Sequence, residues 1–364
     1  MKKYKLTLIA AAVAFSCGIV QAEEIKAPED LVDQAGDPKI IDVAPADGYT
    51  HVTVTQEGSK TTVESGALKV GNATIQDTAV KIEGKGSTVY FGTEKSKLES
   101  VTITSNPDII DKDSSKRVEY LGYLNNGSSL NVFAGKYAQT GSNKGFWVAG
   151  DSNAVFNVNS FNSETRTTAI RALGGEKSTI TFGSEANSLE SFNATRTDIT
   201  DTNSSLIQVD DGAKIDIFAK NVTLNAKVEA SSDDGKAPEA EDSAKAAAPT
   251  LGSVIGSGSY GTTNITADTL VINGNIDSTY AKVEGVKEAL TDKKSYVLNL
   301  NAGKLSMNGD INAGSTETNL ADRVSNITIT ATDAESSIKG NINLKKASTL
   351  DLTFENGGAI AGDI

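Results

Sequence analysis

A short motif of glycine, Asn or Asp, and isoleucine recurs four times in the last quarter of this chain. It reads NGNI, NGDI, KGNI and AGDI, and each copy follows an apolar residue. The glycines are 35, 31 and 22 residues apart, at Gly274, Gly309, Gly340 and Gly362. Such spacing is typical of stacked supersecondary units. The 22-residue interval predicts a bare coil, and the longer intervals predict a coil with an added excursion.

A longer repetition lies upstream, where residues 78–134 resemble residues 168–219 in successive blocks and in the same order. TAVKIEGKGSTVYFGTEKSKLES resembles TAIRALGGEKSTITFGSEANSLES, DIIDKDSS resembles DITDTNSS, and GSSLNVFA resembles GAKIDIFA. The offset between matching blocks is 85 to 91 residues. Because these three successive blocks match in the same order, we interpret the region as two copies of one ancestral unit.

The composition favours short β-strands. Glycine is abundant, with 33 residues, and apolar residues alternate with polar ones in segments such as LNVFA and KIDIFA. The six prolines leave residues 108–237 and everything after Pro249 free of proline, which is excluded from central strands. Variable spacing with intact motifs predicts a parallel β-solenoid, and a β-sandwich is the alternative. In the motif, glycine supplies positive φ or close approach, Asn or Asp tolerates the bend, and Ile re-enters the core.

The first residues predict export. Residues 1–22 have a basic start, an apolar run and a V-Q-A ending, so they read as a secretory signal peptide cleaved after Ala22. The alternatives are a membrane anchor, for which the run is short, and lipid attachment at Cys17. Cleavage removes the only cysteine and changes the net charge from -13 to -16. An acidic chain lacks the basic footprint that nucleic acids require.

The chain divides into five predicted parts. After the signal peptide, residues 23–50 form an irregular leader or cap, and residues 51–230 form a β-helix that contains the duplication. Residues 231–250 form a flexible, acidic and Ala-rich loop or linker, because they have almost no large apolar side chain. Residues 251–364 continue the β-helix, with a short helix expected within 281–294. The chain stops at Ile364 inside a repeat, so we expect it to be truncated.

These features together resemble the passenger domain of a Gram-negative autotransporter, of the type V secretion class. They are the signal peptide, the cysteine-free mature chain, the strands rich in Ser, Thr, Asn and Gly, and the four NGNI-like corners. The resemblance covers residues 51 to 364. It implies a right-handed parallel β-helix with loop excursions, displayed at the cell surface or released. It also implies a covalent C-terminal β-barrel translocator, which the sequence does not contain and which we expect downstream.

Two residue sets are candidates for an enzyme site. GDSN at Gly150–Asn153 is similar to a serine protease motif, but the single histidine, His51, is not in a catalytic context, so a polar turn is expected. Carboxylate pairs Asp210 and Asp211, and Asp233 and Asp234, are the candidates for polysaccharide cleavage. Neighbours in a strand point to opposite faces, so adjacency does not indicate a working pair. We expect no catalytic residues.

Two further sets are candidates for a binding site. Three acids repeated as D-x-x-D-x-D/N suggest calcium ligands, but Asx-turns explain them more simply; they are Asp108, Asp111 and Asp113, repeated as Asp198, Asp201 and Asn203. The pair Phe146 and Trp147 is expected to fill the core, with a contact surface as the alternative. We expect neither metal nor cofactor.

The predicted function is that of a secreted or surface-displayed adhesin or interaction scaffold without catalysis. Its expected partners are a ligand on a host or neighbouring cell, or another copy of itself, and not nucleic acid. The alternatives are a carbohydrate-active β-helix enzyme and a periplasmic or lipid-anchored solenoid.

Overall fold

A computed structural model of the protein describes residues 29–32, 39–72, 78–105, 120–141, 144–198, 204–228, 250–257, 259–280, 294–315 and 323–364. These residues form strands joined by turns and contain no helix. The strands are β1 (Glu29–Val32), β2 (Lys39–Ile41), β3 (Tyr49–Val54), β4 (Lys60–Val63), β5 (Ala67–Gly71), β6 (Val80–Ile82), β7 (Thr88–Phe91), β8 (Leu98–Thr104), β9 (Tyr120–Leu124), β10 (Ser129–Thr140), β11 (Lys144–Val148), β12 (Asn153–Thr165), β13 (Thr168–Ala172), β14 (Thr179–Phe182), β15 (Leu189–Arg196), β16 (Ile207–Val209), β17 (Lys214–Asn225), β18 (Lys227–Val228), β19 (Thr250–Leu251), β20 (Ser253–Gly256), β21 (Gly261–Asn273), β22 (Asn275–Tyr280), β23 (Lys294–Asn308), β24 (Ile311–Ser315), β25 (Arg323–Ala331), β26 (Ser337–Lys339), β27 (Ile342–Leu344), β28 (Ser348–Phe354) and β29 (Ala359–Ala361).

The strands stack in parallel on three faces of a solenoid. Face 1 consists of β1, β3, β6, β9, β11, β13, β16, β20, β22, β24 and β27. Face 2 consists of β2, β4, β7, β14, β25, β28 and the first halves of β10, β12, β17, β21 and β23. Face 3 consists of β5, β8, β15, β26, β29 and the second halves of those five long strands.

The fold is therefore a parallel β-helix, as the sequence predicts. A β-sandwich is built from antiparallel strands, whereas the only antiparallel pair among the described strands is β18 with β19. In most strands alternate residues are buried, so valine, isoleucine, leucine and phenylalanine form one continuous core along the solenoid. Parallel pairing places equivalent residues of successive coils directly above one another.

Aromatic side chains fill the core in the middle coils. The Phe161 ring stacks on Tyr137, with centroids 5.2 Å apart, and on Phe192, with centroids 4.7 Å apart. Phe156 and Phe182 stack across face 2 at 4.7 Å, and both meet Phe161 edge-on. All five side chains are fully buried. Stacked and edge-to-face ring pairs stabilise the fold beyond the contribution from burying their apolar surface.

The four repeated glycines lie directly above one another, which confirms the predicted corner. Their φ angles lie between 147° and 156°, where residues with a Cβ rarely occur. A Cβ at Gly309 would lie 2.1 Å from the carbonyl oxygen of Gly274 in the coil below. The Gly340 N–H donates to Ala361 O at 2.9 Å, so the 22-residue interval is one bare coil.

The Asn or Asp of each corner makes a bond that the sequence does not reveal. Asn275 Oδ1 accepts the backbone N–H of Asp310 at 2.9 Å, and Asp310 Oδ1 accepts that of Asn341 at 2.7 Å. Asn341 Oδ1 in turn accepts that of Asp363 at 3.0 Å. This corner ladder satisfies backbone donors where the chain bends, so the residue does more than tolerate the bend.

The internal duplication corresponds to a shift of three coils. In the face 1 register Val80 aligns with Gly122, Gly122 with Phe146, and Phe146 with Ile170. The first copy and the second copy of the unit therefore lie on the same faces. Each begins with a face 1 strand, β6 or β13, continues through β7 or β14, and reaches face 3 at β8 or β15.

The leader differs in part from the irregular conformation expected of it. β1 pairs with β3, and β2 pairs with β4, so these residues begin the solenoid. Leu31 supplies the reason, because its side chain is buried in the core. The signal peptide at 1–22 lies outside the described residues. So do the linker at 231–250 and the predicted helix at 281–294, except for the last residue of each.

Side-chain amides form two further ladders on the outer surface. On face 2 the Asn264 amide donates to Asp216 Oδ1 at 2.7 Å, and the Asn299 amide donates to Asn264 Oδ1 at 2.8 Å. On face 1 three residues repeat this arrangement, with Asn312 donating to Asp277 at 2.8 Å and Asn343 donating to Asn312 at 2.9 Å. Each ladder starts at an aspartate, whose ionised carboxylate accepts hydrogen bonds but cannot donate them.

Replacing Asp277 with asparagine is expected to stabilise the protein at neutral pH. Burial raises the pKa of the Asp277 carboxyl above its ordinary value of 3.8, although hydrogen bonds from Asn312 and Ser253 oppose this effect. The folded state therefore binds the proton more tightly, and stability falls as pH rises through the raised pKa. An asparagine side chain at this position would still accept the bond from Asn312, without a charge to desolvate. Each unit by which the pKa is raised corresponds to about 1.4 kcal/mol in the free energy of unfolding.

Urea unfolding at neutral pH and at a pH below 3.8 measures this effect. The increase in the free energy of unfolding caused by Asp277→Asn should vanish in acid, where the wild-type carboxyl is protonated in both the folded and the unfolded state. Asp216→Asn is the control, because Asp216 starts the other ladder but also pairs with Lys214 at 2.9 Å. We expect no gain from that change. A gain from Asp277→Asn that persists in acid would contradict the desolvation argument.

Candidate functional site

An aromatic and cationic cluster lies on the outside of face 1, across three successive coils. It consists of Tyr120 and Tyr123 on β9, Lys144 and Trp147 on β11, and Arg171 on β13. In the register, Tyr120 aligns with Lys144, and Tyr123 aligns with Trp147, which aligns with Arg171. All five side chains are half-buried. We call this cluster the aromatic patch.

Strand alternation explains why these side chains are on the outside. In KGFWV the side chains of Phe146 and Val148 are buried in the core, so Trp147 between them points outward. Gly122 makes room for the inward ring, since a Cβ there would lie 2.2 Å from Phe146 Cε2. The prediction that Phe146 and Trp147 both fill the core is therefore correct for Phe146 and wrong for Trp147.

The rings of the aromatic patch hold one another in place. Tyr120 meets Trp147 edge-on, with centroids 4.2 Å apart and planes at 83°, and stacks on Tyr123 at 5.4 Å. Lys144 Nζ lies 4.9 Å from the Trp147 centroid and 5.3 Å from the Tyr120 centroid. Arg171 Cζ lies 4.5 Å from the Trp147 centroid. Each exposed cation–π contact contributes about 0.5 to 1 kcal/mol.

Arg171 is fixed from its other side by a buried carboxylate. Its Nε and Nη2 donate to Asp210 Oδ2 at 2.9 and 2.7 Å, and Gln208 Nε2 donates to the same oxygen at 3.0 Å. Asp210 is only 4% exposed. The guanidinium group therefore loses little conformational freedom when a ligand contacts the aromatic patch. The role of Asp210 in the structure is to position Arg171.

The aromatic patch has the composition of a binding surface. Tryptophan, tyrosine and arginine are the residues most enriched where truncation costs most binding energy. Rigid rings and a positioned guanidinium also reduce the entropy that binding must overcome. Lys144 and Trp147 are close in sequence, but Tyr120, Tyr123 and Arg171 join them only through the register of coils. Sequence reasoning named only Trp147 among the five, and only strand alternation in KGFWV signalled that Trp147 is on the outside.

The GDSN segment forms a turn in the structure. Gly150 and Asp151 have φ angles of 57° and 61°, and β12 starts at Asn153. Ser152 is fully buried, and its Oγ accepts the Ser128 N–H at 3.1 Å. His51 is on β3, three coils away, and contacts Asp30 Oδ1 at 3.0 Å. Three coils correspond to about 14 Å, so the structure does not bring His51 to Ser152.

The structure also separates the acids of the first carboxylate pair. Asp210 points to Arg171, whereas Asp211 is exposed in a turn with φ of 55° and contacts Ser259 Oγ at 3.0 Å. The two carboxylates therefore have different structural partners. Asp233 and Asp234 lie outside the described residues.

The candidate calcium ligands lie mostly outside the described residues, namely Asp108, Asp111, Asp113, Asp201 and Asn203. Asp198 is described, and its Oδ2 pairs with Arg166 Nη2 at 2.8 Å. A carboxylate that neutralises a guanidinium group is a poor calcium ligand. Within the described residues, no three His, Cys, Asp or Glu side chains group together to hold a metal ion.

Nothing in the described ranges would cross a membrane as a helix. Comparisons with protein-family models, curated proteins and solved structures gave no match to this chain.

Proposed function

We propose that the chain is an exported β-helix, secreted or displayed at the cell surface, that acts as an interaction scaffold or adhesin. The single observation that carries this proposal is the aromatic patch, a preorganised set of Tyr, Trp and Arg side chains on the outside of a rigid solenoid. Its partner would be a surface ligand on another cell or a second copy of the chain. The patch has no accompanying catalytic constellation on its strands, so binding is its natural use.

The rigidity of the solenoid and the charge of the patch support this proposal. A solenoid holds its outer face at a constant spacing of about 4.8 Å per coil, so the patch presents a fixed pattern of rings. The chain has a net charge of -13, and an acidic surface repels its own kind. Lys144 adds a positive charge to the patch, whereas the charge of Arg171 is offset by Asp210 at 2.7 Å. The patch would therefore attract a partner that carries acidic groups beside apolar surface.

The resemblance to autotransporter passengers supports export and display. In that class the passenger is joined to a translocator, so a translocator belongs to this proposal as a partner. The signal peptide supports the same route, since residues 1–22 have the arrangement of a cleaved export signal.

The change Trp147→Ala is expected to weaken binding to cells by about thirtyfold. The reason is that truncating a central aromatic residue of an interface costs about 2 kcal/mol or more. Microspheres coated with the purified chain can be scored for adhesion to cultured epithelial cells and for clumping with one another. Clumping would identify a second copy as the partner, and adhesion would identify a ligand on the other cell.

Tyr90→Ala is the matched control for this test. Tyr90 is also a half-buried tyrosine, but on face 2, where Lys60 Nζ lies 5.1 Å from its ring centroid. This change removes an outer aromatic ring and a cation–π contact without touching the aromatic patch. Equal losses of adhesion or clumping in the two variants would mean that the patch is not the binding surface. Wild-type microspheres that neither adhere nor clump would refute the proposed function.

The mature protein is expected to begin at Glu23 when the chain is expressed with its own signal in a Gram-negative host. Cleavage after Ala22 follows from the V-Q-A arrangement. N-terminal sequencing and the intact mass of the exported protein measure this directly. A lipid-modified N-terminus at Cys17 would favour the lipid-anchored solenoid. An uncleaved chain would contradict export by this signal.

A further inference from the structure

A second concave surface lies where face 2 turns into face 3, and the internal duplication builds it. The loop after β7 in the first copy reads GTEKSK, and the loop after β14 in the second copy reads GSEANS. The coils of these loops are three coils apart, and the two coils between them contain β10 and β12. The loops form two walls, and the two long strands form the floor. The groove has a volume of about 420 Å³.

Glycine starts both walls. Gly92 and Gly183 have φ angles of 79° and 66°, which turn the chain out of the sheet at the end of β7 and β14. The equivalent positions of the two floor coils are Phe133 and Asn157, which align with each other within continuous strands. The chain therefore leaves the sheet in the wall coils and stays in the sheet in the floor coils. The groove runs around the solenoid between walls about 14 Å apart.

The two walls have the same internal hydrogen bonds. The Thr93 N–H donates to Ser96 O at 2.8 Å, and the Ser184 N–H donates to Asn187 O at 3.1 Å. The reverse bonds close both loops, and Thr93 Oγ1 and Ser184 Oγ each accept the backbone N–H three residues later. Both loops are therefore preformed, and a ligand that enters the groove does not have to order them.

The lining of the groove is polar, with one aromatic ring. Phe133 and Asn157 are half-buried in the floor, and Asn159 is exposed beside them. Glu94 and Lys97 lie on one wall, and the exposed Asn187 lies on the other. Amide groups both donate and accept, which suits a ligand whose hydroxyl groups do the same. The negative face of the Phe133 ring suits the weakly positive C–H groups of a sugar ring.

We propose that this groove binds a neutral oligosaccharide, with a sugar ring over Phe133 and its hydroxyl groups on the asparagine amides. The opposite charges of Glu94 and Lys97 offset each other, so the lining does not favour a strongly charged ligand. An extended peptide fits less well, because the two floor strands pair with each other at Phe133 and Asn157 and pair with the wall strands as far as Val132 and Phe156. The volume is within the range of small-molecule sites. This proposal is independent of the aromatic patch, which is on a different face.

Saturation-transfer NMR and calorimetry on the full mature chain test the proposal. The probes are maltotriose, cellotriose and chitotriose as neutral ligands, trigalacturonate as an acidic sugar, and an acidic peptide that contains tyrosine. We expect at least one neutral trisaccharide to bind. Phe133→Ala should raise its dissociation constant by about tenfold, and Asn157→Ala should also raise it. Phe133→Trp should retain binding because a ring remains on the floor.

Phe218→Ala is the matched control. Phe218 is half-buried in the same outer row, but on the far side of the second wall, where its carbonyl oxygen would lie 2.9 Å from a Cβ at Gly183. Its ring is not part of the groove. Equal losses of trisaccharide affinity from Phe133→Ala and Phe218→Ala would overturn the proposal. So would preferential binding of the peptide or trigalacturonate, or no binding of any neutral trisaccharide. None of these results depends on cell adhesion or on Trp147.

Discussion

Phe161→Ala is expected to lower the free energy of unfolding by about 3 to 5 kcal/mol. The Phe161 ring is fully buried between Tyr137 and Phe192, which stack on its two sides at 5.2 and 4.7 Å. Phe156 and Phe182 meet it edge-on at 5.9 and 4.7 Å. Truncation leaves a cavity that backbone pairing on both sides prevents from closing. Urea unfolding followed by circular dichroism measures the loss.

Phe161→Leu and Phe218→Ala are the comparisons for this change. Phe161→Leu keeps most of the buried volume, so we expect it to cost less than the alanine change. Phe218→Ala removes the same atoms from a half-buried position, so it should cost clearly less than Phe161→Ala. If Phe161→Ala cost no more than Phe218→Ala, the stacked rings would not be a principal source of stability. Because solenoids need not unfold in one step, the transition should be followed at several wavelengths.

Gly309→Ala is expected to destabilise the C-terminal coils by about 3 kcal/mol or more. Two effects add here, since the φ angle of 153° is unfavourable for alanine and the new Cβ would lie 2.1 Å from Gly274 O. That oxygen belongs to the backbone of the stacked corner, so it cannot rotate away. Separating the coils would also weaken the bond from the Asp310 N–H to Asn275 Oδ1. Hydrogen exchange should show the loss of protection around this corner.

Gly357→Ala separates the two effects. Gly357 also has a positive φ, 101°, but nothing lies within 4 Å of the position that its Cβ would take. The change should therefore cost only the conformational strain, about 1 kcal/mol. A similar cost for Gly309→Ala would show that the coils can separate at the corner without loss. That result would argue against close stacking of the motif.

The fold could be predicted from the sequence because its signals are local and repeated. Gly309 and its equivalents predict a stacked corner, and alternation in segments such as KIDIFA predicts strands. The corner bond from the Asp310 N–H to Asn275 Oδ1 could not be predicted, because it depends on the distance between two residues 35 positions apart. The strand β1 in the leader could not be predicted either, since a single buried Leu31 is too weak a pattern to indicate a strand.

The candidate sites depend on register, which one sequence does not contain. Alternation alone indicates that Trp147 is opposite to Phe146, but its contact with Arg171 requires knowing which coils are adjacent. The groove also depends on which coils are adjacent. The duplication is visible in the sequence, whereas the count of three coils between the two loops is not. Phe133 becomes a floor residue only when that count is known.

The outer ladders give the solenoid a side-chain dipole along its axis. In each pair the amide of the later coil donates to an oxygen of the earlier coil, as Asn299 does to Asn264 and Asn343 does to Asn312. The amide dipoles are therefore aligned, and aligned hydrogen bonds polarise and strengthen one another. Each row begins at an aspartate, Asp216 or Asp277, which accepts a bond from the next coil and, when ionised, has no hydrogen to donate to the coil before. A charge thus terminates each row at its N-terminal end, much as a carboxylate caps the first turn of an α-helix.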